Sequence, residues 1–342
     1  MTGAGAAPPA IVSAMRAAIA ESRTVLGTTA PNPPVGAAIV DPDGRIVGLG
    51  ATRPPGGAHA EVMALAAAGE RARGATAVVT LEPCDHIGRT GPCSRALIAA
   101  GVTTVYYAVA DPSPQAAGGA DTLRAGGVRA HAGLLADEVR AGPLAGWLFR
   151  LRHDRPRVTA KIAATVDGRV AAPDGSSRWI TGPAAREHAH RIRAELDAIV
   201  VGTGTVLRDD PALTARSADG TLLPHQPTRV VLGDRHLPPD ARILGPEART
   251  VLVSGHDVTA VLDALPDAAD VLIEGGPTVV GAFLTAGLVD RVHAYLAPMT
   301  LGSGFAAVSA PAVTTLTDGW RMRRTGLLEL DEDILLTLEP TR

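Results

Sequence analysis

A histidine, a carboxylate two residues beyond it and two cysteines further along give this chain its clearest chemical signal. They are His59, Glu61, Cys84 (preceded by Pro83) and Cys93. One imidazole and two thiolates can hold Zn²⁺ through three protein ligands and leave a fourth position for water, whereas structural zinc sites carry four protein ligands. Zinc lowers the pKa of a water ligand to about 7. A carboxylate beside the site that does not itself ligate the metal can take that proton and pass it to a leaving group. His59, Cys84 and Cys93 are therefore expected as metal ligands and Glu61 as the catalytic proton carrier. The chemistry is hydrolysis.

The elements that must position these groups follow from the apolar pattern. Residues 10–26 read as a helix with Ile11, Met15, Ala18, Ile19 and Ser22 along one face. Strands are expected at 35–40 and 45–50, joined by the turn Asp41-Pro42-Asp43-Gly44, and again at 75–81 and 104–109. Helices at 59–68 and 94–100 would put His59 and Glu61 in one first turn and Cys93 at the start of the other. Helix starts carry positive partial charge, which favours thiolates. This is an α/β layer structure with a mixed sheet.

Around 147–156 the pattern breaks into an arginine-rich connector marked by Arg150, Arg152, Arg155 and Arg157. The expected division is a flexible tail at 1–9, a first domain at 10–149, a linker at 150–156 and a second domain at 157–342. The second domain opens with a strand at 158–164 and a turn at Asp167-Gly168. A helix at 183–195 and strands at 198–201, 229–232, 250–253 and 271–273 follow, and a hairpin at 326–330 and 334–338 closes the chain. Two segments rich in glycine, Gly202-Thr203-Gly204-Thr205 and Glu274-Gly275-Gly276-Pro277-Thr278, follow strands, the second opening a helix whose backbone N–H groups can approach phosphate.

Composition narrows the classes. The chain has 342 residues, 46% hydrophobic and 20% charged, enough for two domains with sizeable cores. A net charge of −3 and no basic run with interleaved aromatics argue against nucleic acid as a partner. No apolar stretch is long enough to span a membrane, and the small Gly/Ala/Pro-rich start lacks the charged and apolar regions of a signal peptide. Two cysteines without an export signal argue against a structural disulfide and for a cytoplasmic location. Basic side chains are nearly all arginine; Lys161 is the one lysine, set in an apolar strand. Three readings of the metal motif remain at this point: a small-molecule hydrolase, a nucleic-acid deaminase with an accessory domain, and a non-catalytic metal-dependent module.

Zinc nucleobase deaminases carry H-x-E followed by P-C-x-x-C; this chain keeps each element but widens the last gap. His59-Ala60-Glu61-Val62, Thr80-Leu81-Glu82-Pro83-Cys84, His86, Gly88-Arg89-Thr90 and Pro92-Cys93 closely resemble one family, the bifunctional deaminase–reductase of riboflavin biosynthesis. Pro31-Asn32-Pro33 with Val35-Gly36 agrees, as do Lys161, Asp167-Gly168, Trp179-Ile180-Thr181, Gly204 to Leu207, Asp209-Asp210-Pro211, Leu213-Thr214, Arg216 and Glu274 to Thr278. The resemblance implies a cytidine-deaminase-like zinc domain joined to a domain similar in fold to dihydrofolate reductase. It further implies zinc and NADPH as cofactors, a phosphorylated pyrimidine ribosylamine as substrate, and a homo-oligomer. The first domain would remove the 2-amino group of the diamino-pyrimidinone and the second would reduce the ribosyl arm to ribityl.

The resemblance also distributes roles. Asn32 would bind the pyrimidine edge, and His86 and Arg89 the phosphate arm. In the second domain Ser177, Arg193, Leu213, Arg216 and Glu274 would line the sugar phosphate. Ala163, Trp179, Thr205, Asp209 and the run Gly276, Pro277, Thr278, Val279, Val280, Gly281 and Ala282 would surround NADPH. Lys161 and Glu274 would serve catalysis, a compact ammonium being able to give up a proton where arginine cannot. Thr52, Met63, Asp85 and Ile87 depart from the commoner family pattern; the alternatives are a protein in which only the reductase is active and the deaminase domain is a scaffold, and a paralogue in a specialised pyrimidine pathway.

Overall fold

The computed structural model describes residues 7–86 and 91–341. It divides into two compact units, Met1–Asp154 and Arg155–Arg342.

In the first unit the elements run α1 (Pro9–Arg23), β1 (Gly36–Val40), β2 (Ile46–Ala51), α2 (Ala60–Ala68), β3 (Thr76–Leu81), α3 (Cys93–Ala99), β4 (Thr104–Val109), α4 (Gly119–Ala125), β5 (Arg129–Ala132), α5 (Ala136–Ala141) and α6 (Ala145–His153). The five strands form one sheet in the order β2-β1-β3-β4-β5. β1 is antiparallel to both neighbours, while β3, β4 and β5 are parallel, so the sheet is mixed as expected. Ile11, Met15, Ala18, Ile19 and Ser22 are all buried on α1, and every residue of β1 is buried. Strand β1 is covered on both faces. A Cβ at Gly36 would lie 1.9 Å from the Ala18 carbonyl oxygen of α1, and one at Gly50, which pairs with the next residue Ala37, would lie 2.5 Å from the Ala64 nitrogen of α2. Only hydrogen at Gly50 lets α2, which carries Glu61, lie this close to β2.

The second unit runs β6 (Arg157–Thr165), β7 (Arg169–Ala171), α7 (Pro183–Ala194), β8 (Ala198–Gly202), α8 (Thr203–Asp209), β9 (Thr228–Leu232), β10 (Thr250–Val253), α9 (Val258–Asp263), β11 (Asp270–Ile273), α10 (Pro277–Thr285), β12 (Arg291–Ala297), β13 (Phe305–Ala306), β14 (Met322–Leu330) and β15 (Asp333–Pro340). Eight of these strands form a sheet in the order β10-β9-β8-β11-β6-β12-β15-β14. From β10 to β12 neighbours are parallel; the closing hairpin is antiparallel. The central strands are apolar on both faces. Val200 joins one hydrophobic cluster with Phe283 of α10, and its neighbours Ile199 and Val201 join another with Val206 of α8. That is how parallel strands buried on both sides read in sequence.

Differences from the sequence reading are concentrated where amphipathic signals are weak. The expected linker at 150–156 is partly helical: α6 carries Arg150 and Arg152 and ends at His153, because Gly146, Trp147 and Leu148 anchor it to the core. The helix α1 starts at Pro9, inside the expected tail, since proline suits a first helical position. Strand β12, missed from sequence, is a central strand in which Arg291 and His293 alternate with buried Val292 and Ala294.

Candidate active sites

In the first unit His59 is the residue that precedes the first turn of α2, and Cys93 is the first residue of α3. The His59 side chain makes no capping hydrogen bond. Instead its Nδ1 lies 3.5 Å from Cys84 Sγ and 3.4 Å from Cys93 Sγ, and the three ligand atoms fall within 4.8 Å of one another. A tetrahedral zinc with bonds of about 2.0 Å to nitrogen and 2.3 Å to sulfur separates N and S by about 3.6 Å. The cluster fits zinc.

Its electrostatics are those of a thiolate site. Hydrogen bonding from Cys93 pulls the Cys84 thiol down to about 4, with His59 contributing, and the same contact pushes Cys93 up. Glu61 is 4% exposed, and burial, reinforced by the Cys84 charge, raises its carboxyl to about 7. A buried carboxyl poised near neutrality suits a group that both takes and gives a proton.

The loop carrying Cys84 is held from several sides. Its carbonyl accepts the Ser94 N–H at 3.2 Å. Asp85 accepts the hydroxyls of Ser94 at 2.5 Å and Thr122 at 2.7 Å, which hold its carboxylate below the ordinary range. The departure at Asp85 is thus a staple between α3 and α4. Glu82 accepts the N–H groups of Asp111 and Ala120. A Cβ at Gly119 would lie 1.7 Å from the Pro83 carbonyl oxygen, so α4 presses directly on the Pro83–Cys84 bend.

The remaining expected residues of this site are placed unevenly. His86 lies beside the cluster, its ring centroid 6.4 Å from that of His59, with a buried Nδ1 that has no partner among the described residues. Asn32 is half-buried in the turn before β1, its N–H bonded to Thr29. Arg89 lies outside the described residues. Thr52 is buried and its hydroxyl accepts the Val35 N–H at 3.1 Å, a latch between the ends of β1 and β2. The Met63 Cβ packs over Gly50.

In the second unit a cavity of about 830 Å³ opens where β8 and β11 end, flanked by the middle of β6 and β12. Parallel α/β sheets bind ligands at such carboxyl ends. Of the expected residues, Lys161, Ala163, Ser177, Trp179, Arg193, Thr205, Asp209, Leu213, Arg216, Glu274, Gly276, Pro277 and Val280 line it. Thr278, Val279, Gly281 and Ala282 do not. Thr278 is exposed, Val279 and Ala282 pack against the hydrophobic core, and a Cβ at Gly281 would meet the Ser309 carbonyl oxygen. A helix opening on a cavity can turn only part of its first turns toward it.

An ion cluster forms the cavity's inner wall. Arg193 grips Glu274 with two bonds of 2.7 Å, and Lys161 Nζ stands 3.9 Å from the same carboxylate. Burial alone would raise Glu274, but Arg193 and Lys161 outweigh it and hold the carboxyl down to about 2. Burial pushes Lys161 below its ordinary value, with Glu274 opposing. Thr205 Oγ1 accepts the Gly276 N–H at 3.2 Å, joining the two glycine-rich segments. Trp179 is 69% exposed at the rim, covered by the Arg186 guanidinium at 4.4 Å.

Among the lining residues that escaped the sequence reading are Tyr295 and His190. Tyr295 pairs in register with Ala163, its hydroxyl 2.8 Å from His188 Nδ1. His190 stands one helical turn before Arg193 on α7. That i, i+3 spacing was a signal, since residues so spaced share a helix face.

Fold and sites define a two-headed enzyme, a zinc-binding hydrolytic deaminase unit followed by a reductase unit. Residues 10–109 match the cytidine and deoxycytidylate deaminase zinc-binding region, and residues 156–336 match the RibD C-terminal domain. The riboflavin biosynthesis protein RibD of Mycobacterium tuberculosis is 55% identical over 328 residues, 96% of this chain and 97% of that one. The structure of Acinetobacter baumannii RibD superimposes with a TM-score of 0.86 at 36% identity, covering 97% of this chain and 99% of the other. A Thermotoga maritima diaminohydroxyphosphoribosylaminopyrimidine deaminase/5-amino-6-(5-phosphoribosylamino)uracil reductase gives 0.84 at 32%, with the same coverage. The chain belongs to the RibD family of riboflavin biosynthesis, which joins a deaminase and a reductase in one polypeptide. Zinc and NADPH are the cofactors of the two activities.

Proposed function

We propose that the first unit hydrolyses the 2-amino group of 2,5-diamino-6-ribosylamino-4(3H)-pyrimidinone 5′-phosphate, and that the second reduces the ribosyl arm of the product, giving 5-amino-6-(5-phosphoribitylamino)uracil. The observation that carries this reading is the pairing of a three-ligand metal cluster with the buried Glu61 carboxyl two residues from His59 in one unit, and a Lys161–Glu274–Arg193 cluster lining a cofactor-sized cavity in the other.

When bound, zinc supplies the Lewis acidity that makes water nucleophilic near neutral pH. Glu61 takes one proton from the attacking water and passes it to the ring nitrogen, then takes the second from the hydroxyl now on the ring carbon and passes it to the departing amine, which leaves as ammonia. Asn32 pairs with the pyrimidine edge, an amide offering both donor and acceptor, while His86 and Arg89 face the phosphate arm. In the second unit NADPH supplies hydride. Lys161 donates a proton as the ribose opens, its depressed pKa easing that transfer, and Glu274 holds it in place. Arg193, with Glu274, and Arg216 set the charge that receives the sugar phosphate, with Ser177 and Leu213 beside them. Trp179, Thr205 and Asp209 flank the cofactor.

The deaminase belongs to the unit ending at Asp154 and the reductase to the unit from Arg155, the division the family matches support. No helix of the described residues is long and apolar enough to cross a membrane. A cytoplasmic location is in keeping with the two free cysteines, and self-association with the exposed Leu327 and Leu328 on the edge strand β14.

The test supplies zinc-loaded protein with the diamino-pyrimidinone and follows ammonia and NADPH together. Glu61→Ala should abolish ammonia release and with it NADPH use, keep its zinc, and regain reduction when given the deaminated intermediate. Lys161→Met should release ammonia and consume no NADPH; near-complete retention of reduction would remove Lys161 from the mechanism. Ammonia without NADPH use by the unmodified protein would give the second unit another task, and neither signal would make the substrate wrong.

A further inference from the structure

His190 has a geometry that the reading above does not use. Its Nδ1 lies 3.1 Å from the Thr214 carbonyl oxygen. A carbonyl oxygen only accepts, so Nδ1 carries the hydrogen. The same carbonyl takes a second donor, Arg193 Nη1 at 3.2 Å, so the imidazole and the guanidinium are tied to one loop atom. That loop is itself held: Leu213, just before Thr214, is buried with φ of 47°, and the Ala215 N–H and carbonyl are both bonded to the Gln226 amide. The ring cannot swing away without breaking this anchor.

With Nδ1 committed, the other nitrogen sets the ring's chemistry. Burial first, and the Arg193 charge next, hold the imidazole below its ordinary pKa, so at neutral pH Nε2 bears a lone pair. Among the described residues no protein hydrogen bond to Nε2 is formed, and the residue lines the cavity. Its neighbours there include the cations Arg193 and Arg216, while both Glu274 oxygens are gripped by Arg193. In such surroundings a phosphate, whose oxygens accept, is drawn to the arginines. A hydroxyl needs an acceptor, and Nε2 is one.

We infer that His190 is a substrate-binding residue of the second unit, its Nε2 accepting a hydrogen bond from a ribosyl hydroxyl of the phosphorylated arm. This rests on the reductase reading of that unit. It gives the cavity a division of labour, with arginines for the phosphate and a fixed neutral imidazole for the sugar. A site built to pair a hydroxyl discriminates strongly against analogues lacking it.

Two substitutions separate anchoring from binding. In His190→Asn the amide nitrogen takes the place of Nδ1 and can still donate to Thr214, but nothing replaces Nε2. In His190→Gln the longer side chain brings an amide oxygen to the place of Nε2 and gives up the anchor. KM and kcat are measured with NADPH and 5-amino-6-(5-phosphoribosylamino)uracil. Calorimetry gives the Kd of the product, 5-amino-6-(5-phosphoribitylamino)uracil, and fluorescence the Kd of NADPH. His190→Asn should raise both KM and product Kd about tenfold, with kcat and NADPH affinity within about twofold; His190→Gln should stay within about threefold throughout. Equal impairment of both variants, greater impairment of His190→Gln, or an unimpaired His190→Asn would overturn the assignment. Should the unmodified protein fail to oxidise NADPH with this substrate, the reductase reading itself falls, a result separate from any difference between variants.

Discussion

Replacing Glu274 by glutamine keeps the side chain's shape and deletes the charge at the centre of the second unit's ion cluster. Arg193 would then be left buried against a neutral amide, and Lys161 would lose its counter-charge 3.9 Å away. The carboxyl falls from an ordinary 4.5 to about 2 in the folded protein, which corresponds to about 3 kcal/mol favouring the ionised form. Breaking a buried pair by removing one partner costs about 3–5 kcal/mol, so the two routes agree. Because the folded pKa is depressed, this stability is fully present above about pH 4.5 and is lost as pH falls toward 2. At pH 7 Glu274→Gln should therefore lower the second unit's melting temperature by about 6–12 °C, taking about 2–4 °C per kcal/mol for a domain of this size. The variant should also lack the part of the acid-induced destabilisation that the unmodified protein shows between about pH 4.5 and pH 2. Scanning calorimetry measures both, read on the second unit's own transition because a chain of two units need not melt in one step. Combining Glu274→Gln with Arg193→Met should cost less than the sum of the two, since the guanidinium is no longer stranded. A melting temperature within 2 °C of the unmodified protein, or an unchanged acid slope, would refute the account of the cluster.

Two further expectations concern supports rather than reacting groups. Gly119→Ala puts a methyl group where 1.7 Å separates it from the Pro83 carbonyl oxygen; the Cys84 bend must shift, and zinc should be lost to a competing chelator at about tenfold lower concentration, while reduction of supplied intermediate stays normal. Equal zinc retention would show that α4 is not needed to set the ligand. Asp333→Ala removes the carboxylate that accepts the Gly182 N–H at 2.6 Å just before α7. A charged hydrogen bond of this kind contributes about 1.5–3 kcal/mol, so the second unit's urea midpoint should fall, and KM for the reductase substrate should rise because α7 carries Arg193. A changed midpoint with unchanged KM would confine Asp333 to stability.

The metal site was readable along the chain because its chemistry restricts residue type. Few side chains bind zinc, and fewer stand two residues from one another at the start of a helix. Lys161 stood out for a similar reason, as a lone ammonium in an apolar strand. The elements with strong periodicity, α1, β1 and β8, were equally plain. Helix α6 was not, since its outer face is arginine and only Gly146, Trp147 and Leu148 are buried. Strand β12 was hidden by Arg291 and His293, whose places on one face of the sheet depend on neighbours far away in sequence.

By itself, then, the amino-acid sequence determined the hydrolytic chemistry of the first domain, a three-ligand metal centre with a proton carrier, while the second domain's lysine and glycine-rich turns pointed to reduction only through the family resemblance. It could not decide which faces of α7 and α10 meet the cavity, that Thr214 would fix the His190 tautomer, or that Gly119 would press on the Cys84 bend. Nor could it show that Glu274 would sit between two cations rather than beside one. Coordination chemistry depends on the identity of a few atoms, which the chain spells out directly. Tautomer, pKa and side-chain direction depend on what is packed within a few ångströms, and in both units those neighbours come from segments dozens of residues apart.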